Sequence, residues 1–177
     1  MHPCLVIRHG TAEDRAASGR DEDRELTRAG EAAIERCAGG LVLAAPAPEF
    51  ILASPHLRAR RTAEIVAEAF GAVEVIPEPA LAPGSTPADI LGALVARCSS
   101  NTGAVSLVGH EPDLGRFVSY ALAATSRSFV ALRTGGAMLL EFPALPRAGN
   151  ATLEWALDPV HLEAMAVQPQ ERRNAIG

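Results

Sequence analysis

Cys4-Leu5-Val6-Ile7-Arg8-His9-Gly10 is the stretch on which the reading of this chain turns. Its four apolar residues form a short run that reads as a strand buried on both faces, as strands of a parallel sheet are. An arginine, a histidine and a glycine follow at once. Polar side chains therefore emerge where the strand ends, and Gly10 allows a tight turn or the close approach of a ligand. The same arrangement recurs twice downstream. Phe50 to Ala53 precedes Ser54-Pro55-His56-Leu57-Arg58, and Ala104 to Val108 precedes Gly109-His110-Glu111-Pro112.

Between these runs lie stretches of helical period. Thr27 can cap a helix reaching about Ala45. Ser54-Pro55 offers a cap and a first residue for a helix with Thr62, Ile65, Val66, Ala69 and Phe70 on one face. Val73 to Ile76 reads as a further strand. Thr86-Pro87 with Asp89 resembles a capping box, opening a helix that buries Ile90, Leu91, Leu94, Val95 and Cys98. Pro112 starts a helix with Leu114, Phe117, Val118, Ala121 and Leu122 inward, and Ala137 to Phe142 and Thr152 to Leu157 read as strands. Alternating strands and helices predict an α/β fold with a mainly parallel sheet. Two irregular stretches, Ala12 to Glu25 and Pro77 to Ser85, start at the carboxyl ends of strands, where open α/β sheets bind ligands.

A length of 177 residues suits one domain, read here as 1–167 with a polar, frayed tail over 168–177. With 48% hydrophobic and 21% charged residues the composition is that of a folded globular protein. A net charge of −5 gives no general attraction to nucleic acid or anionic lipid, so any cationic site is local. All 16 basic residues are arginine. Without lysine, Walker-type phosphate loops, Schiff-base chemistry and pyridoxal enzymes are excluded. Cys4, Cys37 and Cys98 lie far apart and suggest neither a zinc site nor a disulfide framework. The first apolar run is too short for a signal peptide, and no run reaches the ~20 residues of a membrane span. A cytoplasmic protein is expected.

Three strand ends carrying Arg8, His9, Arg58 and His110 have a joint logic if a phosphoryl group sits between them. The free amides and dipole at the start of a helix favour an anion, and the Arg58 guanidinium adds a fork for two phosphate oxygens. Neutral His9 is then the nucleophile, while Arg8, Arg58 and a protonated His110 stabilise charge on the equatorial oxygens. These fixed cations call for no metal and no cofactor. His2, His56 and His161 are read as surface or structural residues, and Arg60 and Arg61 as solvated.

Val6-Ile7-Arg8-His9-Gly10, Glu25-Leu26-Thr27-Arg28-Ala29-Gly30, Ser54-Pro55-His56-Leu57-Arg58-Ala59 and Val108-Gly109-His110 resemble the ordered motifs of the phosphoglycerate mutase-like histidine phosphatases. Glu111-Pro112-Asp113-Leu114, Thr134-Gly135-Gly136-Ala137 and the Trp155-x-Leu157-x-Pro159 ending make the chain most similar to the short SixA-type protein phosphohistidine phosphatases. The resemblance spans about Leu5 to Met165. It implies a three-layer α/β/α sandwich and a His9 that becomes phosphorylated before water releases phosphate. By the same pattern His9 donates its other ring N–H to a backbone carbonyl, which fixes the attacking tautomer. The superfamily usually supplies a carboxylic acid for the leaving oxygen, for which Glu13, Asp14 and Glu78 are candidates. SixA-type relatives lack an obvious acid, which suits a phosphohistidine substrate on a protein such as a phosphotransfer domain. The alternatives are a small-molecule phosphomonoesterase and a non-catalytic domain that binds phosphorylated partners.

Overall fold

The computed structural model describes residues 1–98 and 103–174, with side chains described as far as residue 167. The chain runs β1 (His2–Arg8), α1 (Arg28–Ala44), β2 (Pro48–Ala53), α2 (Leu57–Ala69), β3 (Glu74–Pro77), α3 (Pro87–Arg97), β4 (Ala104–Gly109), α4 (Asp113–Ala123), β5 (Ala137–Phe142), β6 (Thr152–Leu157) and α5 (Pro159–Asn174). Single 3₁₀ turns occupy Asp21–Asp23 and Pro79–Leu81. The strands form one sheet in the order β3-β2-β4-β1-β5-β6. β1, β2, β3 and β4 pair in parallel, and β5 runs antiparallel to both β1 and β6. The sheet is thus mainly parallel, with β5 the one reversed strand.

Alternation along the central strands builds a core on each face of the sheet. Leu5 and Ile7 of β1 join Ile34, Cys37 and Leu41 of α1, Ala63 and Val66 of α2 and Leu162 of α5. Cys4 and Val6 point the other way, onto Ile90 and Leu94 of α3 and Leu114, Phe117 and Val118 of α4. Leu5 and Ile7 are each 1% exposed, and full burial of such a side chain contributes roughly 1.5–3 kcal/mol. Helices therefore cover both faces, giving the three layers of an α/β/α sandwich. The helix after β1 packs on one face and the helix after β4 on the other, although these two strands are neighbours. Their carboxyl ends flank a topological switch point, where a crevice opens between diverging connections.

Two glycines make close approaches that any side chain would block. A Cβ on Gly40 would lie 2.1 Å from the Leu162 carbonyl oxygen, so the small residue lets α1 and α5 touch. A Cβ on Gly30 would lie 2.1 Å from the Thr11 carbonyl oxygen, so α1 begins directly behind the His9 turn. Thr27 caps α1 by accepting from the Gly30 amide, and Thr86 and Asp89 form the expected reciprocal capping box of α3.

Some expectations are corrected. Helix α2 does not open at Ser54-Pro55: Pro55 and His56 form a bend in which the His56 amide donates to Ser54 Oγ at 3.3 Å, and the helix starts at Leu57. Pro112 is the residue before α4 rather than its first residue. Val95 and Ala69 face outward. α5, for which no element was expected, packs on α1 and continues past residue 167 to Asn174; residues 175–177 lie outside those described. Among the described residues no helix is long and apolar enough to cross a membrane.

Candidate active site

At the ends of β1 and β4 the backbones hold each other. The His9 amide donates to the Gly109 carbonyl oxygen at 3.1 Å, and the Ser54 amide donates to the Val108 carbonyl oxygen at 2.9 Å. Three strand ends are thereby registered side by side, and the four residues singled out from the sequence gather around them. The His9 and His110 rings lie 4.9 Å apart between centroids. Arg58 is close enough to lower the pKa of both. Arg8, beside His9, acts on it likewise.

His9 Nδ1 lies 2.7 Å from the Gly10 carbonyl oxygen. Since a carbonyl can only accept, Nδ1 carries the proton, and Nε2 of the neutral ring is left with its lone pair. Burial, with help from Arg58, Arg8 and Arg24, holds the His9 pKa down to about 4, opposed by the hydrogen bond to Gly10. The ring is therefore neutral at pH 7. The turn that presents it is tied from below: the Gly10 amide donates to Thr62 Oγ1 at 3.1 Å, and that hydroxyl donates to the Arg58 carbonyl oxygen at 2.7 Å. Thr62 so couples the His9 turn to the first turn of α2, which carries Arg58.

Arg8 is fixed by the connection between α4 and β5. Its Nη1 donates to the Leu132 carbonyl oxygen at 2.8 Å, and the Leu132 amide donates to Glu111 Oε1 at 2.6 Å. Gly135, at φ +77°, donates its amide to the His9 carbonyl oxygen at 3.1 Å. Glu111 and Gly135, read from the sequence only as parts of motifs, thus hold the connection that seats Arg8 and His9. Arg8 Nε, His110 Nδ1 and His56 Nδ1 are buried and have no hydrogen-bond partner among the described residues. Buried polar atoms without partners are rare in folded proteins, and three around one site suit a ligand that would satisfy them.

His110 departs from expectation. Burial chiefly, then His9, Arg58 and His56, pushes its pKa down to about 2, so the ring is neutral rather than protonated. Its Nε2 lies 2.8 Å from Ser54 Oγ. His56, read as surface or structural, belongs to the site: its ring stands edge-on to His110 with centroids 5.2 Å apart. Its Nδ1 lies 3.6 Å from Asp21 Oδ2.

Asp21 and Arg24 were missed by the sequence reading. Arg58 Nη1 donates to the Asp21 carbonyl oxygen at 2.7 Å and Nη2 to Asp21 Oδ2 at 2.8 Å. Arg24 donates to Asp21 Oδ1 at 2.9 Å and to the Glu13 carbonyl oxygen at 2.6 Å. Arg24 first and Arg58 second hold the Asp21 carboxyl down at about 2, so it is ionised and no proton donor at neutral pH. Of the three carboxyl groups considered as acids, Glu13 and Asp14 are exposed. Glu78 accepts from the Ala80 amide at 3.1 Å and lies 3.9 Å from Arg97. No hydrogen bond or ion pair joins any of the three to His9 or His110. Among the described residues no group of three or more His, Cys, Asp or Glu side chains is arranged to hold a metal ion.

The fold and this constellation define a member of the histidine phosphatases. The profile of the histidine phosphatase superfamily (branch 1) matches residues 4–83, and the chain belongs to that superfamily. An uncharacterized protein from Picosynechococcus sp. is 38% identical over 145 residues, which cover 75% of this chain and 86% of that protein. Among solved structures, the protein histidine phosphatase SixA complexed with tungstate superposes with a TM-score of 0.76 at 26% identity, covering 90% of this chain and 99% of that one. A mutant phosphoserine phosphatase from Entamoeba histolytica, in complex with phosphoserine, shares the fold with a TM-score of 0.64 at 16% identity, covering 92% of this chain and 100% of that one.

Proposed function

We propose that the protein is a metal-independent phosphatase that forms a phosphohistidine on His9 and then hydrolyses it. The observation that carries this reading is the His9 ring, neutral, with Nδ1–H spent on the Gly10 carbonyl and Nε2 free among Arg8, Arg58 and His110. In the first step the Nε2–phosphorus bond forms as the bond from phosphorus to the leaving group breaks, and the leaving group takes up a proton. In the second, water attacks phosphorus, the Nε2–phosphorus bond breaks, and inorganic phosphate departs. Arg8, Arg58 and His110 bind the equatorial oxygens, on which charge is carried through both steps. The test is a phosphoryl donor followed by mass spectrometry. An acid-labile, alkali-stable label on His9 is expected, and activity that persists in His9→Ala would overturn the mechanism.

For the substrate we propose phosphohistidine on a protein, such as a phosphotransfer domain. Two observations support it: the similarity to SixA, described as a protein histidine phosphatase, and Asp21, the carboxylate on Arg58 beside the histidines, which is ionised and offers no proton. General acid catalysis is worth typically ~10²- to 10⁴-fold to an alkoxide leaving group, and a departing imidazole needs less of it. A phosphorylated phosphotransfer domain is therefore expected to show a higher kcat/KM than alkyl monoesters at matched pH and salt. A monoester turned over at least as efficiently would redirect the reading to small-molecule substrates.

A further inference from the structure

The hydroxyl of Ser54 is fully buried, at 0% exposure, and its bonding can be worked out completely. It has two partners among the described residues. The His56 amide lies 3.3 Å away and can only donate, so Ser54 Oγ accepts there. His110 Nε2, at 2.8 Å, is the other. The hydroxyl proton needs an acceptor, since leaving a buried donor unused costs about 1–3 kcal/mol. Of these two partners, only His110 Nε2 can take it.

We infer that Ser54 is a positioning residue that fixes the tautomer of His110, so that Nδ1 bears the proton and offers it to a phosphoryl oxygen. This rests on the function proposed above and has His110 serve the phosphoryl group as a neutral N–H donor rather than as a cation. A neutral imidazole can serve an anion only through an N–H, and the tautomer decides which nitrogen has one. With Nε2 accepting from Ser54, the proton sits on Nδ1, the buried atom with no partner in the protein, on the ring that packs against His9. Were Nε2 the protonated atom, Nδ1 would present a lone pair instead, which repels an anionic oxygen. The two histidines then use opposite nitrogens: His9 spends its Nδ1 proton on Gly10 and keeps Nε2 as a nucleophile, whereas His110 ties Nε2 to Ser54 and keeps the Nδ1 proton as a donor. It also follows that the bend from Ser54 to His56 serves the site, because it brings the His56 amide onto the same hydroxyl.

Long-range ¹H–¹⁵N correlation on ¹⁵N-histidine-labelled protein at pH 7 reads the tautomer of each ring and needs no substrate and no variant. His110 protonated on Nδ1 is the expected result, and His110 protonated on Nε2 overturns the inference whatever the enzyme does. Ser54→Ala should move the proton onto Nε2 in part or wholly and weaken tungstate binding by about 10- to 100-fold, the range for a hydrogen bond to a charged group. Ser54→Cys, nearly isosteric with a weak donor, should fall between the two. A Ser54→Ala protein whose tautomer shifts while tungstate affinity is unchanged would show that Nδ1–H is not a ligand of the anion. Failure of His9 labelling in wild-type protein would instead remove the phosphatase reading and leave the tautomer assignment standing.

Discussion

The two irregular segments of the chain begin at the same topological address and end in different places. Both leave carboxyl ends of parallel strands, both are rich in turn-forming residues, and both contained a candidate acid. The segment after β1 reaches across to the start of α2 and sets Asp21 against Arg58 and Arg24. The segment after β3 folds onto helices instead: Leu81 is 3% exposed in the core, and the Gly84 amide is taken by Asp113 at 2.7 Å. Position at the sheet edge gives a loop access to the site, but the partners available to its side chains decide whether it enters. A carboxylate follows unpaired guanidinium groups, and Leu81 follows the apolar face of α3 and α4.

The comparison breaks outright if Arg58 is not the group around which the first segment is organised. Arg58→Ala should lower kcat/KM by about 10²- to 10³-fold, as loss of a preorganised charge-stabilising donor does, and should abolish inhibition by vanadate. It should also release the Asp21–Asp23 turn, readable as faster amide exchange there. Unchanged exchange would mean that Arg24 alone secures the segment. Addition of a chelator should leave wild-type activity intact.

A second effect, on stability, follows from the histidines. His9, His110 and His56 all have pKa values lowered mainly by burial, so between their folded values and about 6.5 the unfolded chain binds protons that the folded protein refuses. Their neutral burial therefore supports the fold fully above pH 6.5 and less as pH falls. At about 1.4 kcal/mol per pH unit, His9 alone accounts for a loss on the order of 2 kcal/mol between pH 6.5 and 5. Urea unfolding at the two pH values should show that His9→Asn loses less than wild type by about this amount. An equal loss in both would mean that His9 is not held neutral.

How much of this was legible beforehand follows from what each residue touches. The strands could be read because Leu5, Ile7, Cys4 and Val6 are buried on opposite faces, which leaves an unbroken apolar run in the sequence. The α3 capping box could be read because both partners lie within four residues. Arg8, His9 and His110 could be gathered because they stand at the ends of buried strands, and Arg58 because it lies in the first turn of the helix after one. Asp21 could not, since residues 20–25 hold four carboxylates and two guanidiniums and spacing does not say which one reaches Arg58 across 37 positions. His56 was misread because it does not stand at a strand end as His9 and His110 do; the bend before α2 brings its ring against His110. The signal available for it was its place within the Ser54-to-Arg58 motif itself.

Two smaller effects sharpen the comparison. Asp21 places a carboxylate on the guanidinium that is proposed to bind phosphate, so it competes with the substrate by charge. Asp21→Asn keeps an acceptor for Arg58 Nη2 and leaves the backbone carbonyl bond in place, but removes the negative charge. Vanadate should bind several-fold more tightly to this variant, an effect of about 1 kcal/mol, the upper range for exposed charge pairs. Weaker binding would mean that the charge of Asp21 serves to orient Arg58 more than it opposes the anion.

The last and smallest effect belongs to the segment after β3. Glu78 caps the 3₁₀ turn at Pro79–Leu81 through the Ala80 amide and faces Arg97, and nothing ties it to the histidines. Its work is local: it satisfies one backbone donor and helps hold Leu81 in the core. Glu78→Gln keeps an acceptor for the Ala80 amide and loses only the charge opposite the half-exposed Arg97, an interaction worth ~1 kcal/mol or less. The expected outcome is a small loss of stability in urea, with kcat/KM on phosphohistidine protein and on alkyl monoesters changed by less than about twofold, well short of the ~10²-fold that marks removal of a general acid. A selective collapse of the monoester reaction in Glu78→Gln would show that this carboxyl reaches the leaving oxygen during turnover. The two segments would then both be parts of the site, and the distinction drawn between them from their resting contacts would fail.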